Sequence, residues 1–334
     1  MIRIGVRTHT GEQRRLVLSE QLGADGGSIW ASALRGYDER GYPDRDALAA
    51  MRERFQRHNL MLTGIGLGGA ALENQLRGLP GRDREVDAVS ETIVRIGEAF
   101  RDLEIADRPV IIIDQRPTYW VKGGWTGSAR ITGRGGVQFY DFDASRNGGH
   151  QDAPADLVSP DQVWERMAYL YEGIVPAAEQ AGIRLANHPD DPPLPRYRGA
   201  AQLLTGLSGF QRFFEAYPSP NNGMLLCLGC MQEAGEDVVE VIHAIGRQRR
   251  VFYVHFRNVR GTVPHYTEVF PNLGDMDMVA AIRALWEIDY DGFIVPDHQF
   301  GILDDDDWNT TSRAWQIGYV TALIQATRPG KPTG

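Results

Sequence analysis

The stretch IRLANHPDDPP, residues 183–193, begins as an apolar, β-branched run, ends that run on a histidine, and then stiffens into two acids and two prolines. Read alone it is an edge between a strand and a turn, because Asp and Pro are ordinary turn formers. Its weight comes from repetition. The runs RIGVR (3–7), GSIW (27–30), LMLTGIG (60–66) and PVIIID (109–114) precede it, and GMLLCL (223–228), VFYVHFRN (251–258) and GFIVPDH (292–298) follow it. Several are almost continuously apolar, the pattern of parallel strands covered on both faces.

Between the runs lie amphipathic stretches, clearest in DALAAMRERFQRHN (46–59), EVDAVSETIVRIGEAF (85–100) and SPDQVWERMAYLYEGIVPAAEQAG (159–182). Pro160 and Gly182 make a start-and-stop pair for the last. Eight strands separated by helices predict a single (β/α)8 TIM barrel over residues 1–334. The alternative, an open doubly wound sheet, lacks its phosphate fingerprint: Gly66-Leu67-Gly68-Gly69 has neither the G-x-G-x-x-G spacing nor a helix start behind it.

One connection breaks the rhythm. Residues 115–158, rich in aromatic side chains, are long for a loop between a strand and a helix, and long loops in compact domains tend to cover or bind. Placed after the fourth strand, this insertion is expected to act as a lid.

At 334 residues and 37.2 kDa the chain can bury a large core. A net charge of −9 argues against a nucleic-acid partner, which rewards a basic face. No run is long and apolar enough for a bilayer, and the opening MIRIGVRTHTGEQRR lacks the features of a secretory signal. Two cysteines cannot build a disulfide framework, so the cytoplasm is the expected compartment.

In a barrel of this type the active site sits where strands end. The last four strands each close on a metal-capable side chain: His188, Cys227, His255 and Asp297. Adjacent strands stand about 4.8 Å apart, so four inward side chains at one level can meet around one divalent ion. A lone buried cysteine is more often a small hydrophobe; four consecutive strand ends are harder to dismiss. His298, next in the chain after Asp297, is the candidate acid/base. Arg257 and Asn258 are candidate substrate contacts, and Asp190 and Asp191 are candidate acceptors that orient the ligands from behind. Cys227 and Cys230 also form a C-x-x-C pair, but redox pairs open helices whereas this one closes a strand, so Cys230 is expected to be structural.

These residues carry a resemblance. HPDDPP, together with RGLPGRDREVDAVSETIVRIGEA, NGMLLCLGC, VHFRNV, GDMDMVAAIRAL and VPDH, resembles in order the signatures of the mannonate dehydratase family, over residues 16–326. The resemblance implies a xylose-isomerase-like barrel that dehydrates D-mannonate to 2-keto-3-deoxy-D-gluconate, a small sugar acid being the partner. It implies metal ligation by His188, Cys227, His255 and Asp297, with manganese the expected ion and cobalt, iron or zinc the alternatives. It further implies an acid/base role for His298 and a homo-oligomeric assembly. The chain departs from the family in three places. QFGILDDDDWNTTSRAW lacks the tyrosine of the family's Gly-Tyr-Gly loop, Val295 stands where the family has arginine, and the fourth strand runs into IIIDQRPTYW. Tyr119 and Tyr140 in the insertion are the substitutes considered for that tyrosine. Two other readings fit a barrel with these residues: a metal-dependent isomerase or epimerase of neutral sugars, and a non-catalytic barrel.

Overall fold

In the computed structural model, which describes residues 1–67, 69–116, 127–147 and 157–330, eight parallel strands close into a barrel. They are β1 (Arg3–His9), β2 (Gly26–Trp30), β3 (Met61–Gly66), β4 (Val110–Ile113), β7 (Leu185–Asn187), β10 (Asn222–Cys227), β11 (Val251–Phe256) and β14 (Phe293–Pro296). Around the barrel the order is β1-β14-β11-β10-β7-β4-β3-β2, so each strand lies beside its predecessor and the last closes on the first. Every strand run expected from the sequence is present, with ends that differ by one or two residues.

The remaining strands are short and antiparallel. β5 (Ser128–Thr132) and β6 (Gln138–Asp143) come from the insertion, β8 (Arg196–Tyr197) and β9 (Ala200–Ala201) follow the fifth barrel strand, and β12 (Asn258–Thr262) and β13 (His265–Val269) follow the seventh. The helices are α1 (Gln13–Gln21), α2 (Tyr37–Arg40), α3 (Arg45–Gln56), α4 (Glu73–Arg77), α5 (Arg82–Ala99) and α6 (Pro160–Ala181). They continue with α7 (Leu207–Ala216), α8 (Leu228–Glu233), α9 (Val238–Gly246), α10 (Met278–Glu287) and α11 (Thr310–Thr327).

Local chemistry explains the boundaries. Ser159 caps α6 in a reciprocal capping box with Gln162, Pro160 opens the helix, and Gly182 closes it at φ 62°. α5 packs against α6 so closely that a Cβ on Gly97 would lie 2.7 Å from the Ala181 carbonyl oxygen. The barrel strands carry the core: Ile111, Leu185, Leu225, Val254 and Ile294 are fully buried, as two-sided coverage requires.

Two acids of the run at 304–307 are engaged by the chain. Asp305 accepts hydrogen bonds from the Thr311 and Ser312 amides at 2.8 and 3.0 Å, and Asp306 accepts one from the Thr310 amide at 2.9 Å. These acids supply the start of α11 with the acceptors its exposed amides need.

The described part of the insertion is an ordered hairpin. β6 pairs antiparallel with β13, giving a four-stranded sheet in the order β12-β13-β6-β5. Gln138 bridges to Gly301, and Val137, Phe139, Val269, Phe270 and Phe300 form a small apolar cluster beneath. The sheet therefore joins the insertion after the fourth barrel strand to the hairpin after the seventh.

Candidate metal centre

Parallel register sets two of the four side chains, Cys227 and His255, at one height, and the neighbouring strand ends bring His188 and Asp297 to them. Cys227 and His255 are direct register partners on β10 and β11, and His255 pairs in turn with Val295, two residues before Asp297. His188 follows β7, whose Asn187 is aligned with Met224. The donor atoms of His188, Cys227, His255 and Asp297 all lie within 4.8 Å of one another, and all four residues are buried.

The donor chemistry suits a divalent ion. His188 Nδ1 is 2.6 Å from the Pro189 carbonyl oxygen; a proton there satisfies the carbonyl and leaves Nε2 for a ligand. His255 Nδ1 is buried with no hydrogen-bond partner, since Asp297 Oδ2 at 3.4 Å lies outside bonding geometry. Burial alone would raise the Cys227 thiol, but the bond from Cys230, the Arg257 guanidinium and the two imidazoles hold it well below its ordinary range. Burial likewise opposes ionisation of Asp297, yet His255, His298 and Arg7 keep its carboxyl well below the carboxylate range. A thiolate, a carboxylate and two imidazoles in one buried knot, one nitrogen of it orphaned, fit a metal ion.

His298 stands at the edge of this knot. Its Nδ1 is 2.6 Å from Glu268 Oε2 and its Nε2 is 3.5 Å from Asp297 Oδ2, and it faces the cavity. Burial pulls its pKa down, but Asp297 and Glu268 outweigh that and raise it. An inner pocket of about 40 Å³ touches His188, His255, Asp297 and His298, and opens toward a cleft of about 510 Å³. Tyr140, from the insertion, lines that cleft, whereas Tyr119 lies outside the described residues.

Arg257 and Asn258 correct the substrate-contact expectation. Arg257 is buried among Asp191, Glu233 and Glu268, with ion-pair distances of 3.1, 2.8 and 2.9 Å, and its Nη2 reaches Cys230 Sγ at 3.1 Å and Cys227 Sγ at 3.6 Å. Asn258 donates to the carbonyls of Pro271 and Met276 and accepts from the Val259 and Met276 amides. Both side chains are consumed by the framework, and neither lines the inner pocket or the cleft.

Asp190 and Asp191 are also one step further from the ligands than expected. Asp191 accepts from Arg257 and Arg116 and reaches Cys227 through Arg257. Asp190 accepts from the Leu204 amide at 2.7 Å, fixing the loop, and burial pushes its carboxyl up to about 6. The C-x-x-C pair likewise departs from expectation: Cys227 closes β10 and simultaneously caps α8, so the pair does open a helix. Cys230 remains buried as a free thiol, pushed up by burial and by the neighbouring Cys227.

Several cavity residues were not anticipated. Arg7, near the end of β1, pairs with Asp297 Oδ1 at 2.5 Å; extending the strand-end rule to the first strand would have found it. Asp114 and Arg116 pair beside the pocket just after β4. Glu268 lies in a hairpin strand with no periodic or motif signal.

The sequence model of the UxuA family, D-mannonate dehydratase, matches residues 153–332, more than half of the chain. Among curated proteins, mannonate dehydratase of Streptococcus equi subsp. zooepidemicus is 34% identical over 176 residues, covering 51% of this chain and 48% of that protein. Mannonate dehydratase of Streptococcus uberis is 34% identical over 182 residues, 52% of each. The chain thus spans about half the length of the curated relatives it matches. Among solved structures, mannonate dehydratase from Streptococcus suis serotype 2 superposes with a TM-score of 0.84 at 21% identity, covering 98% of this chain and 95% of that one. D-psicose 3-epimerase, crystallised in the presence of D-fructose, gives 0.62 at 14% identity, with 98% and 100% covered. At these identities the structural likeness speaks for the barrel.

Proposed function

The chain belongs to the D-mannonate dehydratase (UxuA) family, and from that premise we propose that it removes water from D-mannonate to give 2-keto-3-deoxy-D-gluconate. The observation that carries this reading is the convergence of His188, Cys227, His255 and Asp297 at the barrel mouth with His298 beside them.

The reaction breaks a C–H bond next to a carboxylate and a C–O bond at the adjacent carbon; the proton and the hydroxyl together make up the one water lost, and the enol left behind becomes the ketone by losing its hydroxyl proton and gaining one on the adjacent carbon. His188, Cys227, His255 and Asp297 would hold a divalent cation, which would supply Lewis-acid stabilisation of the charge that develops on the carboxylate side. His298 handles the other side. Glu268 fixes its Nδ1 and favours the protonated ring, so Nε2–H faces the pocket as a donor to the departing hydroxyl, which leaves as water. Arg7 holds Asp297 Oδ1, leaving Oδ2 turned toward His255 and His298. The hairpin of β5 and β6 contributes Ser128, Arg130 and Tyr140 to the cleft wall, which supports a lid-like role for the insertion.

Manganese is the proposed ion, and zinc its strongest competitor because thiolate and imidazole favour it by intrinsic affinity. A ligand thiolate needs a reducing compartment, which makes the cytoplasm the proposed location. The proposed assembly is a homo-oligomer. Metal-loaded protein incubated with D-mannonate should release a 2-keto-3-deoxy acid, and His298→Ala should cut turnover by roughly 10²–10⁴ with metal content unchanged. Interconversion of neutral sugars without loss of water would overturn the proposal.

A further inference from the structure

One wall of the cleft carries a cation that the framework does not neutralise. Arg313, in the first turn of α11, is 4% exposed and lines the cleft. Its Nε donates to the Trp308 carbonyl oxygen at 2.7 Å, and its guanidinium lies 4.9 Å from the Trp308 ring centroid. Its Nη1 is buried with no hydrogen-bond partner, and among the described residues no carboxylate comes within 4.0 Å of it.

Its neighbours make the position still less comfortable. Burial, then the like charges of Arg7 and Arg15, push Arg313 down to about 9, and Asp297 and Asp305 offset this only in part. Arg257 shows what this chain does with a structural guanidinium: it surrounds it with Asp191, Glu233 and Glu268. Arg313 has no such cage.

His9 adds a second donor. It lines both the pocket and the cleft and is held at φ 63°. Trp30 Nε1 donates to its Nδ1 at 3.2 Å, so the neutral ring carries its proton on Nε2. Burial and the surrounding arginines keep it neutral, down to about 3. Arg313, His9 and Arg7 therefore offer donors and positive charge, and no acceptor, to the open space.

We propose that Arg313, with His9 Nε2–H beside it, is the subsite that receives the carboxylate of the sugar acid. A planar guanidinium already oriented by Trp308 meets two carboxylate oxygens with little ordering cost, and the incoming charge offsets the burial of an unpaired cation. The assignment rests on the sugar-acid reading above and names the residue that enforces it. It makes Arg313 a specificity residue: an alditol of the same configuration has nothing to place there.

The test is calorimetric binding of D-mannonate and D-mannitol to manganese-loaded protein, in a His298→Ala background that suppresses turnover. Arg313→Gln should weaken D-mannonate by about 10- to 100-fold, the range for a hydrogen bond to a charged group, and leave D-mannitol binding and bound metal unchanged. Arg313→Lys keeps the cation without the fork, protects the fold if the glutamine variant does not accumulate, and should still lose about 3- to 10-fold for the acid. If a folded variant binds D-mannonate within twofold of its parent, the Arg313 assignment falls while the sugar-acid reading stands. If the parent itself binds mannitol as tightly as mannonate, both fall.

Discussion

His298 Nδ1 and Glu268 Oε2 stand 2.6 Å apart, and this contact joins the candidate proton donor to a strand of the covering sheet. It fixes the ring so that Nε2 faces the pocket, and its charge favours the imidazolium. Glu268→Gln keeps the shape and removes the charge. The pKa of His298 should fall, moving the basic limb of the kcat profile to lower pH, with kcat reduced by about 10-fold or more at neutral pH. A pH–rate series for the two proteins checks it; coincident profiles would count against His298 as the acid.

Cys227 is the sulfur donor of the knot. Cys227→Ser substitutes a hydroxyl that stays protonated for a sulfur held as thiolate. Bound metal after dialysis should drop, with affinity reduced by at least about 10-fold, while the far-ultraviolet spectrum is kept. Elemental analysis across a chelator titration reads this directly.

Arg257 holds together the carboxylates of Asp191, Glu233 and Glu268 and the two cysteine sulfurs in the buried interior. Removing one partner of a buried charge set strands the others. Arg257→Met should therefore destabilise the fold by about 3–5 kcal/mol, measured by urea unfolding of the metal-free protein. A loss below about 1 kcal/mol would show that the carboxylates find protons or solvent instead.

His9 gives a pH prediction with a definite sign. Its pKa is near 6.5 when the chain is unfolded and about 3 when folded, so between those values the unfolded state binds the extra proton. Stability from this group is complete above about pH 6.5 and is lost progressively as pH falls toward about 3. At pH 5 the loss amounts to about 2 kcal/mol. His9→Gln should flatten that part of the stability curve, and a matched pair of denaturant titrations at pH 7 and pH 5 would reveal whether it does.

The barrel and the convergence of His188, Cys227, His255 and Asp297 were legible because both depend on period and position. Buried parallel strands force unbroken apolar runs such as VIII in β4, and the closed barrel forces residues at successive strand ends to face one another. Arg257 and Asn258 misled for the same reason: they follow a strand end, but the chain there turns into β12 and their side chains point into the framework. Glu268 and Arg313 were invisible, because each reaches the cavity from a segment whose path no local pattern announces. The capping role of Asp305 and Asp306 was hidden in a run that composition alone assigns to solvent.

β13 is paired along both edges, to β12 on one side and to β6 on the other, and Glu268 sits within it. Any displacement of the four-stranded sheet would therefore pull on the tether of the imidazole, so the posture of His298 is coupled to how the insertion's hairpin seats against β13.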